Sequence, residues 1–122
     1  MRYDEFMTKV GQRADVSLQA ADALTAAVLR TLAERISGGE AADLAAQLPQ
    51  ELQPHLAGAD EPAEALAVDR FLQRVAERAG TDEDRARAGV RAVFDTLRET
   101  VTKAEIDDVM AQLPAGFRQL LG

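Results

Sequence analysis

The chain has 122 residues, 47% apolar and 29% charged, with no cysteine and a net charge of −7. That size suits one domain able to bury roughly two-thirds of its unfolded surface; the missing cysteine excludes disulfides, thiolate metal sites and a cysteine nucleophile, as suits a reducing cytoplasm. The acid excess argues against nucleic acid or an anionic membrane as partner, and no unbroken apolar run exceeds four residues, Ala26–Leu29 being one, far too short to span a bilayer.

The opening Met1-Arg2-Tyr3-Asp4-Glu5 is charged and lacks an apolar stretch, so no secretory leader is expected there and the cytoplasm is the expected location. From Tyr3 the spacing of Tyr3, Phe6, Met7, Val10 and Ala14 predicts an amphipathic helix, with Asp4 placed favourably for the dipole in its first turn. After a break at Asp15-Val16, Ser17 is a natural N-cap for a second, longest helix with the stripe Ala21, Leu24, Val28, Leu32 and Ile36. Ser37-Gly38-Gly39-Glu40 fits the capping box, in which hydroxyl and carboxylate each accept from a backbone N–H of the other residue. It predicts a third helix carrying Ala41, Leu44, Ala45 and Leu48. Pro49 then opens a fourth, short helix at its N1 position, presenting Leu52 and Leu56.

An acidic linker over residues 57–67 follows, and the helix leading into Val68 can start as early as Pro62. The four-helix pattern then recurs: Val68, Phe71, Leu72, Val75 and Ala79; a break at Gly80-Thr81; Asp82 as N-cap; Ala86, Val90, Val93, Leu97 and Val101, widened by Phe94. Thr102-Lys103-Ala104-Glu105 is a second capping box before Ile106, Val109, Met110 and Leu113, and Pro114 opens the last short helix at its N1 position, presenting Phe117 and Leu121. Laid on residues 68–121 without a gap, residues 3–56 give 19 identical pairs in 54 positions. A fixed offset of this length indicates two copies of one supersecondary unit. The sequence therefore predicts one all-α domain over 1–122, built from two four-helix repeats (3–56 and 68–121) packed with pseudo-two-fold symmetry. Charge differs between the copies: residues 1–56 carry 5 basic and 8 acidic side chains, residues 68–122 carry 9 and 10. Arg74, Glu77 and Arg78, like Arg91, Asp95 and Arg98, read as solvated helix faces with local ion pairs.

Phe-x-x-x-Val with a following Arg-Ala, then Gly-Glu-x-x-Asp-Leu-x-x-Gln-Leu-Pro at Gly39–Pro49, resembles a bacterial family known as domain of unknown function 2267. The likeness covers essentially the whole chain and implies an all-helical protein made from this tandem unit. Copy two departs from it at Ala104, where the family-like glycine is missing, and at Ile106 and Val109. The resemblance carries no activity.

Few residues point to chemistry. His55 is the only histidine, and its counterpart is Leu120. Thr31 and Thr96 fit a bond back to a carbonyl one turn earlier. Glu34/Glu99, Glu40/Glu105 and Asp43/Asp108 are acids present in both copies. Carboxylates three residues apart on a helix can share a divalent cation or serve acid–base chemistry, but a helical di-metal site normally adds Glu-x-x-His, which is missing. The capping boxes account for Glu40 and Glu105. Gln47 and Gln112 are not explained by those boxes. Just before Leu-Pro, a long amide can cap a carbonyl at the helix end, the favoured role, or reach a partner, and the polar ledge of Asp43, Gln47, Asp108 and Gln112 is the candidate partner-binding surface. No catalytic residue, cofactor or metal is expected. The favoured function is a non-catalytic cytoplasmic binding or regulatory module, monomeric or homodimeric, for a protein partner or small ligand. Alternatives are a metal-dependent or hydrolytic enzyme using the duplicated acids, and a structural homo-oligomer.

Overall fold

The computed structural model describes residues 1–57 and 63–121. Among these the regular structure is entirely helical, in the order α1 (Tyr3–Ala14), α2 (Leu18–Arg35), α3 (Gly38–Ala46), a 3-10 helix (Gln50–Leu56), α4 (Val68–Ala79), α5 (Glu83–Thr100), α6 (Lys103–Ala111) and α7 (Gly116–Leu121). The all-α expectation is met. The first three helices begin and end 65 residues before α4, α5 and α6.

The local signals act as their chemistry dictates. Asp15 and Gly80 end α1 and α4 in the left-handed region, at φ 56° and 67°, where glycine is unstrained and aspartate tolerated. Ser17 accepts from the Ala20 N–H at 3.1 Å and Asp82 from the Arg85 N–H at 2.7 Å, so both N-caps form. Two expectations are corrected. Neither Pro49 nor Pro114 opens a helix at N1: Pro49 precedes a 3-10 helix that contains Pro54, and Pro114 lies two residues before α7. Pro54 lacks the N–H an α-helix would need there, whereas the matching Gln119 has one, and the second copy forms α7. Nor does helix reach Val68 from upstream: residues 63–67 are non-helical and α4 starts at Val68, while the 58–62 part of the expected linker, with Pro62, lies outside the described residues. The Glu64 N–H bonds to the Glu34 carbonyl at 2.8 Å and Leu66 is buried, tying this segment to the end of α2.

The two halves interlace. The closest helix pairs are α1 with α5 and α4 with α2, so each first helix packs on the second helix of the other half. One hydrophobic core takes in the stripes of both, including Phe6, Val10, Phe71 and Val75. Phe71 meets Phe117 edge to face, centroids 4.8 Å apart at 88°, a geometry the ring quadrupoles favour. Where α2 crosses α5, a Cβ on Gly89 would lie 2.7 Å from a Leu24 methyl, so the backbones approach only because position 89 has no side chain.

Polar side chains span the same junction. Arg13 donates to Thr96 Oγ1 at 2.9 Å and pairs with Glu99, which Lys9 also reaches at 3.2 Å. Reciprocally, Arg78 donates to Thr31 Oγ1 at 3.0 Å and to Glu34 at 2.6 Å, and Arg74 reaches Glu34 at 2.9 Å. Each threonine hydroxyl donates to a carbonyl one turn earlier, at 2.7 Å for Thr31 and 2.8 Å for Thr96, leaving a lone pair for the guanidinium. Arg74 and Arg78 thus reach across to α2 instead of forming the expected local pairs with Glu77, while Arg98–Asp95 does form, at 3.2 Å.

Candidate functional site

The N-terminal turns of α3 and α6 carry the duplicated acids. Ser37 Oγ accepts from the Glu40 N–H at 3.1 Å and Thr102 Oγ1 from the Glu105 N–H at 3.2 Å, so the first half of each capping box forms. The second half does not. The Ser37 N–H donates to Gln112 Oε1 at 2.8 Å, and the Thr102 N–H donates to Gln47 Oε1 at 2.8 Å. Each glutamine, at the end of one third helix, caps the start of the other. The glutamines thus have a structural bond, to an N–H of the other half and not to a carbonyl of their own helix, and the glutamates are released from capping.

The released carboxylates meet. α3 and α6 lie against each other, and one carboxylate oxygen from each of Glu40, Asp43 and Glu105 falls within 4.8 Å of the others. Glu105 is 6% exposed. Glu40 Oε2 and Glu105 Oε2 are both buried without a hydrogen-bond partner. Burial first, then hydrogen bonding to Glu40 and the charges of Glu40, Asp43 and Asp108, push the Glu105 carboxyl well above the ordinary glutamate range. A proton held on Glu105 could bond to Glu40; with both ionised, neither Oε2 has a donor. Every charged group acting on Glu105 is an acid. Desolvated like charges of this kind are costly unless paired or coordinated.

Of the ledge proposed from the sequence, Asp43 and Asp108 are exposed on either side of this seam, and Gln47 and Gln112 are engaged in it. Glu34 and Glu99 belong instead to the ion-pair junction. Burial opposes ionisation of Glu34, but hydrogen bonds and charge from Arg78 and Arg74 outweigh it and lower its carboxyl. His55 lies elsewhere, beside a shallow cavity of about 330 Å³ lined also by Arg30, Glu34, Pro54 and Arg78. Burial, then the Arg30 charge, lowers its imidazole, and Arg30 Nε donates to His55 Nδ1 at 3.4 Å. The signal for the seam was present in the sequence as an identical acid at a matching position, since any side chain that faces its own counterpart doubles its charge there.

No described helix is long and apolar enough to cross a membrane. No curated protein matches the chain. The sequence matches the family described as Uncharacterized conserved protein (DUF2267) from residue 3 to residue 120, nearly its whole length, and the chain belongs to that family.

Proposed function

We propose that this protein is a non-catalytic binding module whose ligand site is the acidic seam between α3 and α6, and whose ligand is positively charged. The observation that carries the reading is the facing pair Glu40–Glu105, buried at Oε2 with no donor or counter-charge from any other described residue. A stable helical fold does not need that pair: the N–H groups it would have capped are satisfied by Gln47 and Gln112. Removing buried like charges would normally stabilise the protein, so their presence is best accounted for by something that binds them. The chain's one histidine is beside the Arg30 cavity and not at the seam, so the seam's oxygens offer a ligand charge and coordination with no imidazole beside them, which favours binding over hydrolysis.

The reading is tested by following the backbone amides of α3 and α6 by NMR while adding calcium chloride, spermidine or a lysine-rich peptide at constant ionic strength. Saturable shifts confined to these helices with at least one ligand, lost in a Glu40→Gln/Glu105→Gln variant, are the expected result. No saturable shift with any of the three would overturn it.

A further inference from the structure

The binding reading leaves the chemistry of the ligand open, and the inference drawn here rests on that reading. We infer that the seam is a site for a hard divalent cation of calcium's size, bound by Glu40, Asp43 and Glu105 with Asp108 adding charge beside it. Three observations converge on it. The donors are all carboxylate oxygens, one from each of three residues within 4.8 Å of one another. Glu105, a member of that cluster, is 6% exposed and its Oε2 has no hydrogen-bond partner. Among the described residues no ion pair engages Glu40, Asp43, Glu105 or Asp108, and the charges acting on Glu105 are those of acids, so a neutralising group from outside fits the site.

The donor set selects the ion. Carboxylate oxygens suit calcium, magnesium and manganese, while softer metals prefer imidazole or thiolate. Calcium binds oxygen at about 2.3–2.6 Å, so two ligands on opposite sides of it stand about 4.6–5.2 Å apart. The three oxygens lie within 4.8 Å of one another, close enough for one ion of that size to reach all three. Magnesium demands near-ideal octahedral geometry at about 2.0–2.1 Å and gives up its waters reluctantly, which three carboxylates fixed on two packed helices suit less well than calcium's adaptable shell. Calcium takes six to eight oxygens; bidentate carboxylates and water on the exposed side of Asp43 can complete that number. The site also joins the halves: Glu40 and Asp43 come from the first copy and Glu105 from the second, so bound cation would tie α3 to α6.

The test is calorimetric titration of calcium chloride into metal-stripped full-length protein near pH 7.5, with magnesium chloride and spermidine as parallel titrants. One saturable calcium site is expected, weakened about tenfold or more by Glu105→Gln, in line with the dependence of calcium affinity on ligand charge. Glu5→Gln, an exposed acid on α1 outside the seam, should bind as wild type. Circular dichroism confirms that both variants are folded, and a Glu40→Gln variant gives an independent measure if Glu105→Gln is not. Absence of a saturable calcium site, calcium binding that both seam variants retain, or tighter binding of magnesium would each overturn the inference. Spermidine binding at the seam without calcium binding would overturn the metal and leave the binding module standing; no binding by any titrant would remove both.

Discussion

Where α2 crosses α5, Leu24 packs over Gly89; where α3 meets α6, Glu40 faces Glu105. Both are matching positions of the two copies, and the halves resolve them in opposite ways. Two leucines at the first crossing would overlap, so one copy has the side chain and the other has none. At the second crossing two identical acids remain, half-buried in the first copy and buried in the second. Duplication forces a choice at every position that meets its own counterpart. Size conflicts there are relieved by divergence, and an unrelieved charge conflict singles out the seam as the place where packing alone does not explain the residues. The copies differ elsewhere for simpler reasons. Phe71 has an aromatic partner in Phe117, whereas the position matching Phe117 in the first copy is Leu52.

That last difference gives the largest expected effect. Phe6 and Phe71 are both fully buried, so truncating either to alanine should cost about 3–5 kcal/mol. Phe71→Ala should lie above Phe6→Ala by about 0.5–1.5 kcal/mol, the worth of its edge-to-face partner. Urea midpoints measure both, and equal losses would show that the second copy gains nothing from its aromatic pair. Gly89→Leu tests the α2–α5 crossing. Overpacking it should cost about 1–3 kcal/mol, and adding Leu24→Gly should recover most of that by exchanging the roles of the two copies. A double variant no better than Gly89→Leu would mean that the crossing is not governed by size.

The caps come next. Thr102→Ala should cost about 1 kcal/mol through loss of the bond to the Glu105 N–H, and Gln47→Ala about 0.5–1.5 kcal/mol through loss of the acceptor for the Thr102 N–H. In metal-stripped protein Glu105→Gln should stabilise by about 1 kcal/mol, because an amide there can donate to Glu40. A loss on Glu105→Gln with no change on Gln47→Ala would restore the local capping box and dissolve the contrast between the two crossings.

Nearly all of the fold was legible in the sequence because its signals are local. The stripes through Phe6 and Phe71, the caps at Ser17 and Asp82 and the breaks at Asp15 and Gly80 depend only on neighbours within a few turns. What was not legible depended on the other copy. Glu40 and Glu105 match a local capping box, but glutamines from the opposite half reach the same N–H groups and displace the carboxylates. Arg74 and Arg78 have Glu77 close in sequence, yet the other half offers them Glu34 and, for Arg78, the Thr31 hydroxyl as well. Pro54 turned one short helix into 3-10 geometry, a local effect that the repeat pattern concealed. Of the ledge read from the sequence, Gln47 and Gln112 are committed to the fold by bonds across the seam that no local pattern shows.

The smallest effect expected concerns the ion-pair junction, where the two copies behave alike. Glu34 and Glu99 both have lowered carboxyl values, the first because the bonds and charges of Arg78 and Arg74 outweigh its burial, the second through Arg13 and then Lys9. A carboxylate whose folded value lies below its unfolded one binds fewer protons in the folded state, so its contribution is present above the unfolded value and lost as pH falls through the folded one. That window lies on the acid side of 4.5, the ordinary glutamate value. The denaturation midpoint of wild type should therefore fall, relative to Glu34→Gln and Glu99→Gln, as pH is lowered from about 5 toward 3. The gap between wild type and either variant should also shrink in high salt, since these pairs are partly exposed and screened. Parallel pH profiles for wild type and both variants would show that the arginines hold the halves together by packing and by their threonine bonds alone.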